Sequence, residues 1–198
     1  MNLKGGKIPG YLALALITLI AGLALGATYS LTEARIHEQA LLASENARKS
    51  VFREADEFCE MAAEEGASVD WIYEAIKDGN GIGYVAQATV NGFAGPVEVI
   101  AGVDASGTLT GISVGGSGFK ETAGLGEKTK HEAFTVQFAG KSAPLRVIKA
   151  GEASAEDTVD AVTAATVSST AVTNGVNTIS AYIEDIKGAS IPEEGGDQ

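Results

Sequence analysis

Asp160-Ala161-Val162-Thr163-Ala164-Ala165-Thr166-Val167-Ser168-Ser169 is a run of small and hydroxylated residues that leads straight into Val172, Val176, Ile179, Ile183 and Ile186. These apolar positions alternate steps of four and three, which predicts one buried helix face and puts Thr166 near the helix N-terminus. At such a terminus the first backbone N–H groups lack intrahelical acceptors and the peptide dipoles sum to partial positive charge. A phosphate ester on a hydroxyl there is well placed, and the small Ala164 and Ala165 let a bulky group approach closely. The plainer reading is that Asp160, Thr163 or Thr166 is an ordinary N-cap. Thr163, Thr166, Ser168, Ser169 and Thr170 all offer hydroxyls near the same helix start, so chemistry alone does not choose among them.

Upstream of that junction the periodicity is alternating rather than helical. Trp71–Ile76 and Ile82–Val90 flank Asp78-Gly79-Asn80-Gly81, and Val97–Val103 and Leu109–Val114 flank Asp104-Ala105-Ser106-Gly107. Both read as antiparallel hairpins, with Pro96 at a strand start where its missing N–H is tolerable. Gly115–Lys130 is a long glycine-dense irregular segment, of a kind that either crosses the surface or approaches a ligand closely. Short strands are expected around Phe134–Phe138 and Leu145–Lys149. Strands in the middle with helices at either end indicate an α+β fold, an antiparallel sheet flanked by helices.

Ahead of this domain, Ile8 to Thr32 carries no charge and is nearly continuous apolar sequence. That is long enough to cross a hydrocarbon core as one helix. It exceeds the usual signal-peptide core of about 7–15 residues, so a retained transmembrane anchor is the expectation, against a cleaved signal. Lys4 and Lys7 precede the span while Glu33, Arg35 and Glu38 follow it, which orients the N-terminus to the cytoplasm and the rest of the chain outside. Acidic residues interleave with Ile36, Ala40, Ala43, Ala47, Val51, Ala55, Phe58 and Ala62, the spacing of an amphipathic linking helix with a solvated acidic face. The organisation expected is a short N-terminus and span over 1–32, a linking helix over 33–66, a folded domain over 67–188 and a disordered acidic tail over 189–198.

The net charge of −12 excludes a nucleic-acid binder, whose footprint is basic. The single cysteine, Cys59, excludes an intramolecular disulfide and is expected beside the helix stripe as a small buried hydrophobe. His37 and His131 belong to no ligand pattern, so no protein-held metal is expected. Neither a Gly-x-Gly-x-x-Gly nor a Walker-type loop is present. Nothing offers a nucleophile, base and orienting acid for turnover, and no catalytic residue is assigned.

The stretch Asp160 to Thr166 resembles the flavinylation motif Asp-x-x-Ser/Thr-Gly-Ala-Thr of the FMN-binding domain found in the G subunit of Rnf complexes and in the C subunit of the sodium-pumping NADH:quinone oxidoreductase. Lys120-Glu121-Thr122-Ala123-Gly124-Leu125-Gly126-Glu127-Lys128 is similar to that family's Glu-Thr-Pro-Gly-Leu-Gly loop. Gln137-Phe138-Ala139-Gly140-Lys141 and Gly92-Phe93-Ala94-Gly95-Pro96 match two further family segments, and the order is kept from Trp71 to Ile186. Two departures stand out. Ala164 replaces a glycine and Ala123 a proline, and the methyl at 164 matters if the backbone there has positive φ.

The resemblance implies that Thr166 carries FMN through a phosphoester, attached by a separate flavin transferase that uses FAD and Mg²⁺ and releases AMP. It implies a cofactor site comprising Asp160, Thr163, Ala164, Ala165, Thr166, Ser168 and Ser169, together with Glu121, Thr122, Gly124, Leu125 and Gly126 of the loop. It further implies an electron-transfer component of a membrane-bound, ion-translocating ferredoxin:NAD⁺ oxidoreductase, working with the other subunits of that complex. The alternatives are the quinone-reducing complex, a stand-alone anchored flavoprotein, or a non-redox extracytoplasmic binding domain whose hydroxyl-rich junction only caps a helix.

Overall fold

The computed structural model describes residues 9–63, 66–149 and 152–189. These fall into two compact units divided between Ala43 and Ser44. Helix α1 (Gly10–Val51) supplies all the described structure of the first, apart from Pro9. Its segment Gly10–Glu33, with mean hydropathy 2.1, is long and apolar enough to cross a membrane. Thr18, Thr28, Ser30 and Thr32 turn their hydroxyls back onto carbonyls of the preceding turn, which satisfies polar groups inside an apolar stretch. Lys4 and Lys7 lie outside the described residues.

The second unit is built on a five-stranded antiparallel meander. Strands β1 (Glu57–Met61), β2 (Trp71–Lys77), β3 (Asn80–Asn91), β4 (Pro96–Asp104) and β5 (Leu109–Gly115) each pair with the next. Both expected hairpins form. In the first, Lys77 pairs with Asn80 across Asp78 (φ 50°) and Gly79 (φ 78°), the two consecutive left-handed residues that a tight hairpin matched to strand twist requires. After a 3₁₀ turn (Gly126–Lys130) come the short helix α2 (Glu132–Thr135), another 3₁₀ turn, and β6 (Arg146–Ile148) paired in parallel with β7 (Thr158–Asp160). Helix α3 (Thr166–Ala189) closes the described chain.

The sheet is covered on both faces. On one, the predicted stripe of α3 packs down, with Val172, Val176, Ile179 and Ile183 fully buried against Val97, Val99, Ala101 and Val103 of β4. Each such side chain removed from water contributes about 1.5–3 kcal/mol. On the other, Val51 and Phe52 at the end of α1 pack with Ala75, Val85 and Ile100. There the helix end lies directly on the strands, because Gly102 and Gly111 present no Cβ to the Val51 backbone. The Thr110 hydroxyl donates to the Val51 carbonyl at 2.6 Å, satisfying one of the acceptors that a helix C-terminus leaves open.

Three expectations are corrected. The linking helix does not reach residue 66: α1 ends at Val51, and Glu57–Met61 is an edge strand that pairs with β2. The stripe residues Ala55 and Phe58 suit either period, and pairing with β2 overrides the local helical spacing. Cys59 is consequently exposed on that strand, opposite Glu74, rather than buried beside a helix. Residues 134–138 are helical rather than extended, and Phe134 and Phe138 are buried one turn apart with ring centroids 5.4 Å from each other. Apart from Ala189, the acidic tail falls outside the described residues.

Candidate functional site

Helix α3 begins at Thr166, and the preceding residues are held by one buried side chain. Ser169 donates its hydroxyl to the Ala165 carbonyl at 3.0 Å and accepts from the Val162 N–H at 3.0 Å, so the loop from Asp160 to the helix is closed onto the first turn. Asp160 is fixed from the other side: its backbone N–H donates to Gln137 Oε1 at 2.8 Å and its carbonyl accepts from Gln137 Nε2 at 3.4 Å. Between these clamps Ala164 adopts φ 62°, a left-handed conformation that L residues other than glycine enter at a cost. The glycine-to-alanine departure therefore falls where it is felt.

The five hydroxyls separate into two classes. Ser168 and Ser169 are buried and engaged inside the protein. Thr163, Thr166 and Thr170 are exposed. Thr166 and Thr170 line one groove of about 330 Å³ with Asn91 and Asn174, whereas Thr163 and Asp160 line another recess, of about 270 Å³, with Lys128, His131 and Gln137. Among the described residues, no side chain of Asp160, Thr163 or Thr166 caps α3, and the first intrahelical bond is Ser169 N–H to the Ala165 carbonyl. The N–H groups of Thr166, Val167 and Ser168 are left at an uncapped helix start. Thr170 sits a full turn further in, where N–H groups are already used.

The Glu121–Gly126 loop meets α3 through one carboxylate. Glu121 is only 8% exposed. Its Oε1 accepts from the Phe93 N–H at 2.6 Å and the Ala94 N–H at 3.1 Å, and its Oε2 accepts from Ser168 Oγ at 2.7 Å. These bonds tie the loop to the β3–β4 turn and to the first turn of α3 through one carboxylate. Thr122 closes the next turn, its carbonyl accepting from Leu125 and Glu127 N–H. Gly124 has φ 75°, which accounts for glycine there, and Gly126 is buried against Glu121. Leu125 is left exposed.

The structure thus gathers Glu121, Gly126, Ser168 and Thr166 at the start of α3. Asp160 and Thr163 open onto the neighbouring recess. The sequence reading missed three contributors: the Phe93–Ala94 turn, the Gln137 clamp, and the Lys128 and His131 side chains beside Asp160. All but His131 lie in segments whose motif was visible, and the Phe93–Ala94 turn acts through backbone N–H groups, which leave no side-chain signature.

A family model described as "FMN-binding domain" matches residues 92–180, the stretch holding all of these elements. The chain is 33% identical to the G subunit of the Na⁺-translocating ferredoxin:NAD⁺ oxidoreductase complex of Acetobacterium woodii, over 84% of this chain and 86% of that one. It is 29% identical to the G subunit of the proton-translocating ferredoxin:NAD⁺ oxidoreductase complex of Clostridium ljungdahlii, over 82% and 84% of the two chains. Its fold is similar to the crystal structure of Shewanella oneidensis NqrC, with a TM-score of 0.52 at 16% identity, covering 69% of this chain and 73% of that one.

Proposed function

The chain belongs to the G-subunit family of Rnf-type ion-translocating ferredoxin:NAD⁺ oxidoreductases, and on that premise we propose that it is the electron-carrying flavoprotein of such a complex, with FMN joined to Thr166 by a phosphoester. The observation that carries the attachment point is the pairing of an exposed Thr166 hydroxyl with uncapped N–H groups in the same first turn of α3. A phosphoryl group needs both, an oxygen to be esterified and donors with positive potential around its remaining oxygens. Ser168 and Ser169 offer buried, engaged hydroxyls instead.

FMN, when bound, supplies the electron chemistry, and the polypeptide fixes its place, its exposure and its electrostatic surroundings. Thr166 would tether it. The Val167 and Ser168 N–H groups would hold its phosphate, and Glu121 keeps the loop and the β3–β4 turn against α3. Attachment is the work of a flavin transferase using FAD and Mg²⁺. The Thr166 oxygen bonds to the phosphorus of the FMN half, the pyrophosphate P–O bond breaks, AMP leaves, and the hydroxyl proton passes to a base of the transferase. A lone threonine hydroxyl is a weak nucleophile, so activation comes from that enzyme.

The apolar helix over Gly10–Glu33 anchors the protein, and Lys4 and Lys7 ahead of it favour a flavin-bearing unit outside the cytoplasm. A covalent tether suits a domain facing outward, where a dissociable flavin is lost to the surroundings.

The test is mass spectrometry of protein co-expressed with a flavin transferase in a compartment containing FAD. Wild type is expected to carry one FMN on the peptide containing Thr166, and Thr166→Val none. Persistence of the adduct in the variant moves the site, and its absence from co-expressed wild type overturns the flavoprotein reading.

A further inference from the structure

Strand β7 carries the chain into the attachment segment, and β6 pairs with only one of its edges. The Asp157 carbonyl and the Ala161 N–H face β6, so by alternation the backbone groups of Thr158 and Asp160 face away from it. Among the described residues no third strand meets that outer edge. Side chains of one segment, Gln137–Lys141, take it instead. Lys141 Nζ donates to the Thr158 carbonyl. Gln137 Oε1 accepts from the Asp160 N–H at 2.8 Å while its Nε2 donates to the Asp160 carbonyl at 3.4 Å, so one amide stands in for the peptide group of a neighbouring strand. Phe138, fully buried between these two residues, fastens the segment to the core. The Asp160 carboxylate takes no part in the brace. It makes no hydrogen bond among the described residues, and Asp160 lines the recess shared with Thr163.

We infer that Gln137 is a positioning residue for flavin attachment: by bracing the Asp160 backbone it holds the segment before α3 in the one shape in which the transferase meets the Thr166 hydroxyl. This rests on Thr166 being the FMN acceptor, the residue whose oxygen displaces AMP from FAD while its proton leaves to the transferase. Gln137 touches neither the reacting atoms nor the flavin phosphate and acts through Asp160. The segment has two fastenings. Ser169 closes it from the helix side, through Val162 and Ala165, and Gln137 closes it from the strand side. Without the second, the segment is held at one end and its presented shape becomes one of several. A transferase that binds only that shape then sees its substrate diluted by the fraction populated, so its apparent affinity falls while the rate within the bound complex is kept. Asn177 provides an internal comparison. It makes the same two bonds to Leu145, accepting the N–H at 2.7 Å and donating to the carbonyl at 2.8 Å, but it braces the chain ahead of β6 rather than the attachment segment.

The experiment uses the full chain in its unmodified form, with a flavin transferase, FAD and Mg²⁺, and follows initial rates of adduct formation by intact mass as the acceptor protein is varied. Gln137→Met keeps the unbranched side chain and removes both polar atoms. It is expected to raise the KM of the transferase for this protein by roughly three- to tenfold, the weight of one or two hydrogen bonds, with kcat kept and one FMN on Thr166 at the end point. Hydrogen exchange at the Asp160 amide is expected to quicken in the same variant, which shows the brace released. Gln137→Glu keeps the acceptor for the Asp160 N–H and loses the donor, and its KM is expected to fall between the two. Asn177→Leu removes the matching clamp and is expected to lower the melting temperature while leaving KM and Asp160 exchange as in wild type. An unchanged or lower KM in Gln137→Met, with the Asp160 amide released, overturns the positioning role. So does an equal rise in Asn177→Leu, which assigns the effect to general loosening, or an Asp160 amide that exchanges no faster in Gln137→Met. Absence of any adduct from wild type overturns the flavoprotein reading itself, a separate outcome.

Discussion

Ser168 donates its hydroxyl to Glu121 Oε2 at 2.7 Å across a separation of 47 residues, and both side chains are buried. The bond joins the third residue of α3 to a loop that otherwise has little regular structure. Glu121 Oε1 is shared by two backbone donors of the β3–β4 turn, so one carboxylate sets three chain segments at once. Burying a carboxylate is costly unless its oxygens are bonded. Here the cost is offset by three donors, and it secures a fixed geometry beside Thr166.

The bond makes Gly126 sensitive to the smallest enlargement. A Cβ there meets Glu121 Oε2 and Ser168 Oγ, and neither atom can retreat without giving up its partner. Gly126→Ala is expected to destabilise the domain by about 1–3 kcal/mol, the range of overpacking combined with a lost buried hydrogen bond. Gly188→Ala is the contrast. Gly188 lies within α3 with nothing near its Cβ position, and the same methyl there is expected to stabilise by about 0.5–1 kcal/mol. Urea denaturation of both variants checks the pair.

Asp104 supplies a pH signature in the second hairpin. Burial tends to raise its carboxyl pKa, but the Ser106 hydroxyl, the Thr108 and Ser106 N–H groups and the Lys187 charge outweigh it and hold it below the ordinary carboxylate value. A carboxyl depressed in the folded state contributes stability above its unfolded pKa of about 3.9 and loses it as pH falls through the lower folded value. Asp104→Asn keeps an acceptor oxygen and removes only the charge. It is expected to be less stable than wild type by about 1 kcal/mol or less at neutral pH, with the difference shrinking below about pH 4. A difference that stays constant down to acid denaturation contradicts the assignment.

Much of this was legible in the sequence because it rests on local periodicity. The stripe from Val172 to Ile183 and the Asp78-Gly79 turn are written within a few residues, and the structure reproduces both. The failures are non-local. Glu57–Met61 keeps helical spacing with the residues before it and becomes a strand only because β2 offers it an edge. Phe134 and Phe138 suit a strand or a helical turn, and burial in the core shared with α3 decides between them. At the site, the loop motif was visible, but the tie that Glu121 makes to the β3–β4 turn was not, because it depends on the backbone donors of Phe93 and Ala94.

The orientation of the anchor has its own test. An uncharged stretch from Ile8 to Thr32 preceded by Lys4 and Lys7 is expected to leave the N-terminus in the cytoplasm. A reporter active only outside the cytoplasm, fused after Gln198, should be active, and a cytoplasm-only reporter at the same place should be silent. The reverse pattern places the second unit inside and removes the case for an outward-facing flavin.

Ala164 offers the most local test of the attachment segment. At φ 62° an alanine costs roughly 1–2 kcal/mol relative to the right-handed region, while a glycine there is free of that cost but loses about 0.5–1 kcal/mol more in ordering the backbone. The two nearly cancel, so Ala164→Gly is expected to leave stability unchanged or raise it by up to about 1 kcal/mol. Ala164→Val adds a β-branch at the same φ and is expected to cost more, because branched side chains tolerate the left-handed region least. The turn at Thr163–Ala164 carries Thr166 to the start of α3, so the two variants should part in modification as well. Under limiting transferase, the FMN adduct should form on Ala164→Gly at least as fast as on wild type and more slowly on Ala164→Val, with α3 helicity kept in both. Intact-mass time courses and circular dichroism read these together. Equal rates for all three proteins show that the transferase remodels the segment, and that the backbone before Thr166 does not set how the hydroxyl is presented.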